Sequence, residues 1–169
     1  MSVAELNARG MDEARLFARV TLLQTRYIRA LDARDLRAWA DCFAPEASYI
    51  CAARENEEQG LPLALMMDDT RARIEDRITF IEKIWAGTFE DYTMRHFVQP
   101  IASVQQADGS LRAESNFLVA YTSARGHSEI LVAGCYQDTI ESIDGEDRFR
   151  SKKAVLDTIT TPRYLVYPV

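Results

Sequence analysis

Histidine, lysine and cysteine are scarce in this 169-residue chain. There are two histidines, His96 and His127, and three lysines, Lys83, Lys152 and Lys153. Two histidines at unrelated positions exclude the metal motifs built on clustered ligands. There is no HxxxH, no facial-triad pattern and no CxH…CxxH cluster for an iron–sulfur centre. The three cysteines, Cys42, Cys51 and Cys135, are scattered with no CxxC spacing. That excludes a disulfide framework and fits a reducing cytoplasm. Cys42 and Cys135 lie in apolar runs and read as packing residues. The seven glycines are spread over turns, with no GxxxxGK[ST] or GxGxxG loop to cradle phosphates. There is no GxSxG nucleophile elbow. No window approaches the ~20 apolar residues of a membrane span, and the N-terminus has no apolar core of signal-peptide length.

What is present is ordinary for a globule: 47% hydrophobic and 27% charged residues. The length is that of one domain, read as 1–169, and a chain of this size buries roughly 68–70% of its unfolded surface without staples. A net charge of −6 and a pI near 5.0 argue against nucleic acid or an anionic membrane as partner. Seventeen of the twenty basic residues are Arg. Arg makes bidentate, weakly hydrated contacts and is enriched at protein interfaces.

Leu16, Val20, Leu23, Tyr27 and Leu31 recur at helical spacing and predict a first helix over 11–31, with Gly10 a break before it and Asp12 an N-cap. Asp35 caps a short second helix carrying Trp39 and Phe43, which stops at Pro45. A strand through Tyr49 and Ile50 follows, then a charged loop from Arg54-Glu55-Asn56 to Gly60-Leu61-Pro62. Thr70 opens a third helix with Ile74, Ile78, Ile81 and Trp85 on one face and Gly87 at its end. From Met94 the period changes to two. Four long segments, 96–104, 111–123, 129–143 and 149–160, are separated by Asp108-Gly109, Arg125-Gly126 and Asp144-Gly145 turns. They predict an antiparallel meander curled by twist and bulges, with Pro100 and Gly134 at kinks or edges. The tail from Tyr164 to Val169 reads as docked. The result is an α+β domain in which helices fill the concave face of a curved sheet.

Acid–base chemistry inside such a cone is the serious enzymatic candidate. Its pieces are Asp32, Asp41, Tyr49, His96, His127 and Asp157. Asp32 and Asp41 read as solvated helix-end residues and His127 as exposed in a turn, which leaves His96 as the inward group. Against this stand the aromatics Trp39, Phe43, Tyr49, Trp85, Tyr92, Phe97, Phe117, Tyr121, Tyr136 and Phe149. If they fill the cone, no substrate fits.

Six segments in order resemble one family. Arg37-Ala-Trp39 through Phe43 to Tyr49 resembles the helix-to-strand junction of the small (β) subunits of Rieske non-haem iron aromatic-ring-hydroxylating dioxygenases. Arg54-Glu55-Asn56…Gly60-Leu61-Pro62-Leu63 resembles a loop of the salicylate, anthranilate and benzoate-type branch. Asp76-Arg77-Ile78, Arg95-His96-Phe97-Val98, Gly134-Cys135-Tyr136-Gln137-Asp138 and the close from Asp157-Thr158 to Tyr167-Pro168-Val169 are similar to further family steps. The chain departs from the naphthalene and biphenyl branch before Arg95 and at Ala53, where several members carry Pro.

The resemblance implies a cone-shaped, NTF2-like (cystatin-like) α+β fold and a non-catalytic, cytoplasmic subunit in aromatic compound catabolism. It implies no catalytic, cofactor or metal residue in this chain. The large (α) subunit would carry the Rieske [2Fe–2S] cluster and the mononuclear Fe. NAD(P)H electrons would arrive through a reductase, often with a ferredoxin. Partners would be the α subunit and other β subunits in an α3β3 assembly, with a trimer of the isolated small subunit as a further expectation. Arg54, Glu55, Asn56, Arg95 and His96 are the expected subunit contacts. Two alternatives stay open: a stand-alone dehydratase or isomerase using His96 with an Asp or Tyr, and a cone-shaped binding module with no oxygenase partner.

Overall fold

The computed structural model describes residues 3–169, with side chains from Met11 onward. Helix α1 spans Val3–Asp32. It starts eight residues before the expected boundary and runs through Gly10. Ala, Glu, Leu and Arg are strong helix formers, and one internal Gly costs only about 1 kcal/mol against Ala. Helix α2 covers Leu36–Ala40, capped by Asp35, whose side chain accepts from the Ala38 N–H at 2.9 Å. It ends sooner than expected. Phe43 opens strand β1, Phe43–Ala53, and Pro45 lies in that strand where its register against a neighbour slips, so a missing N–H breaks no regular ladder.

The stretch expected to be a loop begins with a five-residue helix, α3, Arg54–Glu58, closed by Gly60 at φ +65°. Strand β2, Met66–Asp68, which the residue pattern did not predict, pairs with β1. Helix α4, Arg71–Thr79, is capped by Thr70 and continues as a π-helical turn, Phe80–Ile84. Ile74, Ile78 and Ile81 are buried as predicted, while Trp85 is half-buried. The basic first turns of α4 do not simply face water. Arg71 donates to the Ala40 and Phe43 carbonyls at 2.5 and 3.1 Å, and Arg77 grips Asp68 with both nitrogens of its fork.

The meander forms as expected from β3 (Tyr92–Gln105), β4 (Leu111–Ser123), β5 (Ser128–Ile143) and β6 (Glu146–Leu156). Six strands make one sheet in the order β2-β1-β6-β5-β4-β3, antiparallel except where β1 lies parallel to β6. Pro100 sits on the edge strand β3 at a register shift. Gly134 sits where β5 crosses β6 so closely that a Cβ would lie 2.1 Å from the Val155 carbonyl oxygen. That contact explains a glycine in the middle of a central strand.

The sheet wraps α1 and α2 around one core that runs from Val20 to Val169. Trp39 meets Phe43 and Tyr49 edge-on at 5.2 and 5.8 Å, and Tyr27 meets Phe149 at 5.6 Å. Such pairs add about 0.5–1.5 kcal/mol each beyond area burial. The tail docks as predicted. The Tyr27 hydroxyl donates to the Val169 carbonyl at 2.7 Å, and the Val169 N–H donates to the Tyr49 hydroxyl at 3.0 Å.

Candidate functional site

The inside of the cone is the first place to look for chemistry. His96 points inward from β3, and its Nδ1 lies 2.7 Å from Asp32 Oδ1 at the end of α1. The same carboxylate accepts from the His96 backbone N–H at 3.2 Å. Asp32 is therefore not the solvated cap expected of it. It closes the N–H of an edge strand that has no neighbour to pair with. The imidazole has no exposed surface, and its Nε2 is enclosed with no hydrogen-bond partner among the described residues.

His96 itself is closed off, and only its partner Asp32, on the wall of an open surface trough, meets solvent. Tyr92, Met94, Phe117, Val119 and Tyr121 fill the volume beside the imidazole, and none of the described cavities is lined by His96. Phe117 and Tyr136, diagonal neighbours on the adjacent strands β4 and β5, stack on the inner face of the sheet at 4.1 Å. A proton donor without a substrate cavity cannot act as an acid or base. The stand-alone dehydratase reading loses its geometric basis here. Of its other pieces, Asp41 is exposed, Asp157 is on the surface, and His127 is exposed in its turn. Among the described residues no three His, Cys, Asp or Glu side chains converge to hold a metal.

A second buried polar group escaped sequence reasoning. Lys152 on β6 and Asp138 on β5 meet at 3.1 Å with both side chains fully buried. Gln24 of α1 completes the triangle: its Oε1 accepts from Lys152 Nζ at 3.1 Å and its Nε2 donates to Asp138 at 2.6 Å. The ammonium sits 3.5 Å from the Tyr136 ring centre and within 4.5 Å of those of Phe149 and Tyr27. Burial pulls Lys152 down to about 8 and pushes Asp138 above the ordinary carboxylate range, each opposed by the other's charge. Burial also drives the Tyr27, Tyr49 and Tyr136 hydroxyls well above 10. Every polar partner is used and no cavity reaches Nζ, so this network ties α1 to the sheet. Period-two alternation gave a signal for it, since Lys152 and Asp138 fall on inward parity.

The chemistry-bearing surface lies outside the cone. Arg54 on α3 reaches Asp157 beyond β6, Nε to Oδ1 3.0 Å, with both side chains about half exposed. Glu55 is exposed, and half-buried Asn56 donates weakly to the Leu63 carbonyl at 3.4 Å. Arg95 is exposed on β3 on the far side of the sheet order from α3. The five residues expected to make contacts are thus not one patch. His96, moreover, is enclosed, because it alternates with Arg95 along the strand and takes the inner face.

The same parity places Phe97 outward and 62% exposed, so it is not among the aromatics that fill the cone. Other large apolar side chains share the surface near α3 and the tail: Leu63, Leu65, Ile84, Ile159 and Tyr164, the last 82% exposed. Leu65, Trp85, Ile159 and Tyr164 line one groove of about 940 Å³. Exposed apolar groups gathered in this way are a feature of interaction surfaces and ligand grooves.

Known proteins resemble this chain over most of its length. Residues 26–163 match the family model described as the ring hydroxylating beta subunit. The chain is 29% identical to the anthranilate 1,2-dioxygenase small subunit of Burkholderia cepacia, over 94% of this chain and 97% of that one. It is 24% identical to a terephthalate 1,2-dioxygenase terminal oxygenase beta subunit from Comamonas sp., over 89% and 96%. A crystal structure from Novosphingobium aromaticivorans, described as the beta subunit of an aromatic-ring-hydroxylating dioxygenase, superposes with a TM-score of 0.77 at 25% identity. That match covers 88% of this chain and 93% of the other.

Proposed function

This chain belongs to the ring hydroxylating beta subunit family, and we propose that it supports the large subunit of an oxygenase acting on an aromatic carboxylate of the anthranilate, salicylate or substituted-benzoate kind. The observation that carries the reading is the end-to-end match to the anthranilate dioxygenase small subunit. Anthranilate and terephthalate, named for two relatives, are both aromatic carboxylates. The plugged cone supports a supporting rather than chemical role for this subunit.

In this reading the Rieske [2Fe–2S] cluster and the mononuclear Fe belong to the large subunit, fed from NAD(P)H through a reductase. The donor chemistry of this chain does not fit either group. His96 is committed to Asp32, and His127 lies apart in an exposed turn. We place the chain, as one domain over 1–169, in a cytoplasmic α3β3 assembly. Three free cysteines suit that compartment. No described helix is long and apolar enough to cross a membrane.

The contacts are assigned to Arg54, Glu55, Asn56 and the apolar groove beside them, and separately to Arg95. His96 serves beneath Arg95 as an anchor of β3. Co-expression with the adjacent large subunit, followed by sizing and an iron assay, tests the role. A hexamer that contains iron only when the large subunit is present is the expected result. A small subunit that never co-purifies with it would overturn the reading. Arg54→Ala should leave the isolated fold intact and raise the apparent dissociation constant of the complex about tenfold.

A further inference from the structure

The last regular element, β6, ends at Leu156, yet Val166, Tyr167 and Val169 are buried in the core. An exposed stretch, 157–160, leads from the sheet to them, and the strap that follows is neither helix nor strand. Pro162 and Pro168 remove two backbone donors from it and favour extended neighbours. Among the described residues, the one backbone-to-backbone hydrogen bond of 158–169 is local, from the Val166 N–H to the Tyr164 carbonyl at 3.1 Å. Every ladder and helix of the fold closes without this segment. A segment held by side chains alone belongs to the low-stability end of a structure, where local opening occurs.

The side chains that hold the strap are arranged as a ligand site would be. The Tyr27 hydroxyl donates to the Val169 carbonyl at 2.7 Å. The Tyr49 hydroxyl accepts from the Val169 N–H at 3.0 Å and donates to the same carbonyl at 3.2 Å. One residue of extended peptide is therefore read at both its donor and its acceptor. Tyr167 packs edge-on against Phe89 and Tyr92, each at 6.0 Å, with the Arg34 guanidinium 5.4 Å over its ring. At the entrance Arg163 pairs with Glu90 and lies over the Tyr92 and Tyr121 rings at 5.2 and 5.0 Å. Residues 159–166 also form one wall of the groove of about 940 Å³, with Leu65, Trp85, Phe89 and Tyr92 opposite.

We propose that the cone retains a peptide-binding recess, and that residues 161–169 occupy it as a resident ligand able to leave and return with the rest of the fold intact. The recess selects an extended apolar peptide: pockets for Val166 and Tyr167, then two hydroxyls that read one backbone amide and carbonyl. While seated, the strap closes the recess to any other chain of that chemistry. The inference concerns this chain alone and stands apart from the large-subunit role.

The test starts from the folded full chain with a protease site inserted after Thr160, in the exposed stretch. Cutting leaves 161–169 seated without a tether. The body should keep a cooperative melt, and a 161–169 peptide with a fluorophore on its first residue should exchange in, read by anisotropy. The same peptide in scrambled order should not enter. Tyr27→Phe/Tyr49→Phe removes the readers of Val169 at nearly constant shape and should raise the dissociation constant of the peptide about tenfold. Tyr49→Phe alone should give part of that rise. A body that loses its cooperative melt once the fragment leaves would overturn the proposal, because the segment would then belong to the folding core. So would a body that excludes the labelled peptide, or equal binding of the ordered and scrambled peptides. Unchanged affinity in both hydroxyl variants would overturn the assignment of Tyr27 and Tyr49 as its readers.

Discussion

Replacing Lys152 with Met keeps the volume and removes the charge. Asp138 is then left fully buried, with the Gln24 amide as its one remaining partner. Removing one member of a buried pair costs about 3–5 kcal/mol, because the survivor has neither water nor counter-charge. For a chain of this size each kcal/mol shifts the melting temperature by about 2–4 °C, so Lys152→Met should melt about 6–20 °C lower. Replacing all three members, Gln24→Leu/Asp138→Leu/Lys152→Met, removes the stranded groups and should return to within about 2 kcal/mol of wild type.

The pH dependence supplies an independent arm. Folded Lys152 releases its proton at about 8, whereas the unfolded side chain holds it to the ordinary 10.5. Between these values the unfolded state binds more protons, so stability rises with pH. Wild type should therefore gain stability over Lys152→Met between about pH 8 and 9.5, below the range in which tyrosines of the unfolded chain ionise. Urea unfolding at pH 7.0 and across that window measures both effects. A single-mutant loss below about 1 kcal/mol, or parallel pH curves for the two proteins, would refute the account of the network as a charged tie between α1 and the sheet.

Trp39→Ala removes a fully buried indole from the aromatic cluster and should cost about 3–5 kcal/mol by urea denaturation; a loss under 1 kcal/mol would mean the cluster does not hold the rim. Gly134→Ala drives a methyl into the Val155 carbonyl, so it should destabilise by about 3 kcal/mol or more, and a neutral result would show that the two strands are not that close. Gly109→Ala places a Cβ at φ +86° in the β3–β4 turn and should cost about 1–2 kcal/mol with no loss of assembly, measured by melting and sizing.

Local rules carried much of the fold. The caps Asp35 and Thr70, the Asp-Gly hairpin turns and the period-two runs from Met94 onward each answer to the chain's own backbone within a few residues. Two boundary errors came from the same level. Gly10 is a weak breaker in a good helical context. Phe43 fits a strand as readily as a helix, so neighbours in the sheet decided its place. Strand β2 carries no pattern of its own; it is three residues held by pairing with β1. The outward place of Phe97 was legible, because an inward His96 forces the next side chain outward.

The candidate surface divides the same way. Arg54, Arg95 and the aromatic cone could be picked out as residue types, and the family resemblance rested on their order. Their neighbours could not. Asp32 and His96 are 64 positions apart, and Gln24, Asp138 and Lys152 come from three different elements. Sequence by itself determined the inventory: an Arg-rich, His-poor chain with enough apolar period to curl a sheet around helices and no ligand cluster to hold a metal. Tertiary structure alone decided which charges are spent. At the α1 rim Glu146 and Asp147 pair with Arg148 and Arg19, while Asp32 and Asp35 are spent on hydrogen bonds to His96 and to the start of α2. The reason is that ion pairs act through a few ångströms of space, a distance the chain's order does not encode.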